Sequence, residues 1–144
     1  LTREQPAPLE NGVVTTEWVI TVLEAVRGEA AWAMVQAVNR YNEPPAAGME
    51  YVAVRVRARY IKPEDSTGRI NSGYFKTLGS TNVMHDSPSV VDPEPALDAT
   101  LYPGGIIEGW VVVQAKVAES DLLLVFDPWF DTSEQNRRFL ALTR

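Results

Sequence analysis

At 144 residues, with 45% hydrophobic and 22% charged side chains, the chain is sized for one domain with a real core. A formal charge of −6 argues against a nucleic-acid partner, which demands a clustered basic surface. With no cysteine there are no disulfides and no thiol chemistry, and a single histidine leaves no basis for a structural zinc site. No run approaches the ~20 apolar residues of a transmembrane helix. The chain opens on Leu1 rather than Met, as expected of a trimmed or mature form, and any targeting segment would have lain upstream.

Residues 1–12 carry Pro6 and Pro8 without periodicity and read as a linker or N-terminal arm; residues 13–144 read as the domain. Strand-like sequence begins near Val13 and ends at Gly28. Thr16, Trp18, Ile20 and Val22 share one face, and Val19, Thr21 and Leu23 the other. Both faces are partly apolar, so this strand is expected to be covered on both sides.

Residues 30–39 are rich in alanine, and Ala31, Met34, Val35 and Val38 fall on one helical face, which predicts a short helix. Trp32, Met34 and Val38 also fit period two, so a strand is the competing reading. Glu43-Pro44-Pro45 forbids continuation of a helix, and the turn through Gly48 feeds the most informative stretch. Over residues 50–61, Val52, Val54, Val56, Ala58 and Tyr60 fall on one side of an extended chain; Arg55, Arg57 and Arg59 fall on the other. This alternation predicts a long central strand with an apolar inner face and a solvated arginine ladder, paired with acidic neighbours across strands.

After a polar connection, Tyr74, Phe75 and Leu78 suggest a short strand near 70–79. Residues 80–105 are dominated by turn formers, with short extended pieces expected around Val83-Met84 and Val90-Val91. A second long strand covers 108–117, with Val111, Val113, Ala115 and Val117 inward and Trp110, Val112, Gln114 and Lys116 outward. A polar turn at 118–121 and the apolar run 122–126 make 107–126 read as a hairpin. A loop follows, and residues 138–142 close the chain as a last strand. About seven strands with polar turns and at most one short helix predict an all-β antiparallel sandwich.

Chemistry-bearing residues are sparse. A nucleophilic triad would have to use His85, with Asp86, Ser80, Ser87 and Ser89 near it in sequence, and a turn-rich loop lacks the geometry; a surface histidine is the plainer reading. Asp86, Asp92, Glu94 and Asp98 offer oxygen ligands for calcium, but without EF-hand spacing a solvated acidic loop is favoured. Trp32, Tyr41, Trp110, Trp129 and Phe130 could form a sugar- or protein-binding platform, Trp110 being notable for its outward position.

Residues 39–51, Asn-Arg-Tyr-Asn-Glu-Pro-Pro-Ala-Ala-Gly-Met-Glu-Tyr, lead into the strand at Val52. With Leu101-Tyr102-Pro103-Gly104-Gly105, Gly109-Trp110-Val111-Val112, the run 122–126 and the closing residues 139–142, this pattern resembles bacterial immunoglobulin-like domains of unknown function found in exported proteins and lipoproteins. The resemblance covers about residues 16–143 and extends to the superfamily of the mycobacterial secreted immunoprotective antigen. It implies an immunoglobulin-like sandwich outside the cytoplasm, secreted or behind a lipid anchor upstream, and it brings no catalytic residue, metal or cofactor. The expected function is a non-enzymatic binding or structural module whose partner is a protein or other envelope component. Trp110, Trp129, Phe130, Arg55, Arg57 and Arg59 are its candidate contact residues. The alternative is a carbohydrate-binding or hydrolase domain using a cleft near residues 80–105.

Overall fold

Strict alternation over the middle of the chain becomes a twelve-residue strand, β3 (Met49–Tyr60), on which the other elements assemble. The structure is a computed structural model describing residues 3–62, 65–128 and 137–143. In chain order the remaining elements are β1 (Gly12–Val14), β2 (Trp18–Arg27), α1 (Glu29–Val38), β4 (Gly68–Ile70), β5 (Phe75–Leu78), β6 (Met84–His85), β7 (Ala99–Leu101), β8 (Ile106–Lys116), β9 (Leu123–Phe126) and β10 (Arg138–Ala141). One four-stranded antiparallel sheet runs β1-β2-β3-β8, a second runs β10-β9-β5-β6, and β4 pairs with β7 beside them. This is the expected all-β sandwich with one short helix.

The core lies between the two large sheets. Val52, Val54, Val56, Ala58 and Tyr60 of β3 are buried with Trp18, Ile20 and Val22 of β2 and Val111, Val113 and Ala115 of β8. Phe75, Leu124, Phe126 and Leu140 of the second sheet close on them. The Trp18 and Tyr60 rings tilt together at 5.1 Å between centroids, and those of Phe75 and Phe126 at 5.3 Å. Burying such side chains supplies most of the driving force.

Helix α1 sits on the outer face of the first sheet. Ala31 and Val35 cover Tyr51, Ala53 and Val112, which form a second, smaller core. The outer face of β3 is therefore divided: apolar and covered near its start, charged and open from Arg55 onward.

Four expectations are corrected. The single strand over 13–28 is a hairpin of β1 and β2, because the Thr15 hydroxyl accepts the N–H groups of Glu17 and Trp18 at 3.2 and 2.9 Å and turns the chain. The hairpin over 107–126 is not formed. β8 pairs with β3 while β9 pairs with β5 and β10, so residues 117–122 carry the chain from one sheet to the other. Facing sheets let Leu124 and Phe126 meet the core opposite β8 rather than beside it. Val117, past the end of β8, is 60% exposed instead of inward. Val90-Val91 is not a strand; the Asn42 side chain holds Val91 through both its N–H and its carbonyl.

The segment read as an arm is docked. Ala7 is buried, donates to the Phe139 carbonyl at 3.0 Å and accepts from the Ala141 N–H at 2.8 Å, running parallel to β10.

Candidate functional site

Two rungs of the arginine ladder, Arg55 and Arg57, are paired within the sheet. Register places Arg55 between Glu24 and Trp110, and Arg57 between Thr21 and Glu108. Arg55 Nε lies 3.0 Å from Glu24 Oε1, and the Glu108 carboxylate takes both Arg55 and Arg57, at 3.4 and 2.8 Å. All of these groups are solvated, so they finish an exposed face and add little stability. Arg59 is exposed in the next row, between Val19 and Ile106.

Trp110 is half-buried. Its ring packs against the small core under α1, and its backbone is bracketed by a strap formed by residues 90–97. The Trp110 N–H donates to the Pro95 carbonyl at 2.8 Å, and the Leu97 N–H donates back to the Trp110 carbonyl at 3.0 Å. The strap covers the free edge of β8, which would otherwise pair with other chains. Gly109 permits this approach: a Cβ there would lie 2.5 Å from backbone atoms of Ala96 and Leu97. Tyr41 is exposed under the Arg40 guanidinium. Trp129 and Phe130 lie outside the described residues.

The four acidic residues weighed for calcium take separate environments. Asp86 is largely solvated with Lys76 Nζ at 3.7 Å, Asp98 pairs with Arg69, and Glu94 is exposed. Asp92 alone turns inward: its Oδ1 is buried with no hydrogen-bond partner, and the Val112 N–H and Ser72 lie near enough to favour its charged form. Burial, reinforced by the negative charge of Asp98, outweighs their effect and pushes its carboxyl up to about 6. Among the described residues no three acidic or histidine side chains converge as a metal site.

His85 is not a surface histidine. Its ring is 12% exposed, and its Nε2 lies 3.1 Å from Oε1 of Glu119, whose side chain is fully buried. Glu119 also accepts from Thr81 Oγ1 at 2.6 Å and the Lys116 N–H at 3.2 Å. Burial alone would push this carboxyl up; the donors from Thr81, Lys116 and His85 more than offset it and hold it below its ordinary value. Glu119 carries no sequence signal, being one more polar residue in a turn. It becomes singular only when β6 is laid beside the end of β8.

A corner pocket of about 330 Å³ with a mainly apolar wall is lined by Gly28, Glu29, Trp32, Pro44, Pro45, Met49, Glu50 and Val117. Three segments meet there, and each is tied down. Gly28 N–H donates to the Tyr51 carbonyl at 3.0 Å; Val117 N–H donates to the Gly48 carbonyl at 3.0 Å. The Tyr51 hydroxyl donates to the Glu43 carbonyl at 2.8 Å, anchoring the residue before Pro44. Tyr51 also supports the Trp32 ring, at 6.0 Å between centroids. On the rim, Glu50 Oε1 accepts from Arg27 Nε at 2.5 Å. Of these lining residues the sequence had singled out Trp32 only, as one of five aromatics.

No protein-family model matches this chain, and no curated protein does. Solved structures do match, by shape. A Bacillus subtilis protein described as a "putative lipoprotein (ycdA)" superposes with a TM-score of 0.62 at 10% identity. That match covers 91% of this chain and 38% of the other, so this chain spans well under half of that protein. The yjhA protein of B. subtilis gives a TM-score of 0.58 at 11% identity over 94% of this chain and 98% of its own. A Clostridium difficile protein described as an uncharacterized β-sandwich gives 0.53 at 9% identity over 96% and 95%. Identities this low establish the fold alone: an all-β sandwich whose neighbours have no stated activity. Among the described residues no helix is long and apolar enough to cross a membrane.

Proposed function

We propose that this protein is a non-enzymatic, immunoglobulin-like binding module of the cell envelope, outside the cytoplasm, whose contact site is the corner pocket beside α1. The observation that carries the reading is a preformed apolar concavity held by backbone hydrogen bonds from three segments, which suits recognition without rearrangement. The titratable side chains lining it are Glu29 and Glu50, and Glu50 gives one of its two oxygens to Arg27. Among the described residues the lining brings no histidine, serine or lysine beside them, which supports a binding rather than a catalytic reading. The envelope location is supported by the resemblance of the strand signatures and by the lipoprotein description of one fold neighbour.

Two measurements test this. Fractionation of the source cells, followed with an antibody, should find the protein in the envelope or the medium; a purely cytosolic signal would sink the location. Amide chemical-shift mapping with soluble envelope extracts should move Gly28, Trp32 and Val117. Hydrolytic turnover of a sugar or ester substrate that disappears in Glu29→Gln would overturn the non-enzymatic reading.

A further inference from the structure

The chemistry of this pocket narrows what fills it, taking the binding reading above as given. Its walls are Trp32, Pro44, Pro45, Met49 and Val117, which suit a slender apolar stem. Its polar atoms are acidic. Glu29 is exposed at the start of α1 and makes no ion pair among the described residues. Glu50 gives one oxygen to Arg27, while its other, Oε2, lies 3.1 Å from where a Cβ on Gly28 would stand. A third carboxylate, Glu43, is close enough that burial and its charge together hold the Tyr51 phenol above its ordinary value. Against these three stand Arg27, whose guanidinium is already engaged, donating besides Glu50 to the Lys116 and Glu119 carbonyls at 3.1 and 2.6 Å, and the exposed Lys116, opposite Met49 in register, which leaves the rim one negative charge in excess.

An apolar slot with an aromatic wall and an unbalanced negative rim is complementary to a cation on a hydrocarbon stem. The positive end of α1 works against a cation there, and Glu29 in the first turn offsets it. The free acceptors are the Glu29 carboxylate and the one remaining oxygen of Glu50, on separate segments. A planar guanidinium prefers one carboxylate engaged by two parallel bonds, whereas a compact ammonium satisfies scattered acceptors with three rotatable donors. We infer that the pocket receives a lysine side chain of a polypeptide partner, its methylenes between Trp32 and Pro44-Pro45 and its ammonium at Glu29 and Glu50.

Amide and indole chemical-shift titrations with three blocked tripeptides, Ala-Lys-Ala and its norleucine and glutamate counterparts, test this on the wild-type protein and on Glu29→Gln. Glu29 is exposed, so the variant keeps the fold. The lysine peptide should shift Gly28, Trp32, Glu50 and Val117 and bind about fivefold tighter than the norleucine peptide. The gap should shrink in Glu29→Gln and in high salt. Equal binding of lysine and norleucine would overturn the cation assignment and leave the pocket as an apolar contact site. Shifts from none of the peptides, nor from envelope extracts, would overturn both readings. n-Butylamine binding as well as the lysine peptide would assign the pocket to small amines rather than to a polypeptide.

Discussion

The contribution of Asp92 to stability falls as pH rises, contrary to the usual behaviour of carboxylates in folded proteins. Its carboxyl is held at about 6 against an ordinary 3.8, mainly by its burial on the inner side of the strap. The folded state therefore binds more protons than the unfolded chain between those values, and stability falls with pH across that window. The contribution is fully present below about 4 and is lost as pH rises through about 6. The shift corresponds to an upper bound of ~3 kcal/mol; Asp92 is only partly buried, and solvent screening brings this to ~1–2 kcal/mol. Asp92→Asn removes the charge and keeps the shape of the side chain. Denaturant midpoints measured from pH 4 to 8 should show the variant equal to wild type at the acid end and ~1–2 kcal/mol more stable above pH 7. A difference that is flat with pH, or one favouring wild type at neutral pH, would refute the reasoning.

Three further outcomes are expected. Gly109→Ala should cost ~1–3 kcal/mol, since its methyl group would meet strap backbone rather than a movable side chain; a melting temperature at the wild-type value would show that the strap does not bear on β8. Val54→Asp places a charge without a partner in the core and should unfold much of the protein, whereas Arg57→Ser removes a solvated pair and should cost under ~1 kcal/mol; comparable denaturation midpoints would mean that the faces of β3 are misassigned. Glu119→Gln should lose ~1–3 kcal/mol at neutral pH. Because the Glu119 carboxyl is held below its ordinary 4.5, that loss should fade as pH falls beneath this value, and a deficit that instead grows in acid would contradict the assigned hydrogen bonds.

What the residues alone determine here is local. Period-two alternation from Val52 to Tyr60 set both faces of β3, alanine content and spacing set α1 within a residue, and the apolar run at 138–142 set the closing strand, because each signal is written in neighbouring side chains. What covers a face is decided by distant segments. Ala53 and Val112 point outward by alternation yet are fully buried, since α1 settles on them. The 107–126 pair looks like a hairpin because its turn is short and polar; the structure separates it, β8 pairing beside β3 in one sheet and β9 beside β5 in the facing one. The strap on β8, the Glu119–His85 contact and the corner pocket all join residues far apart in the chain. Their residue types are ordinary, and only the packing of the two sheets brings them within hydrogen-bonding distance or encloses a volume between them.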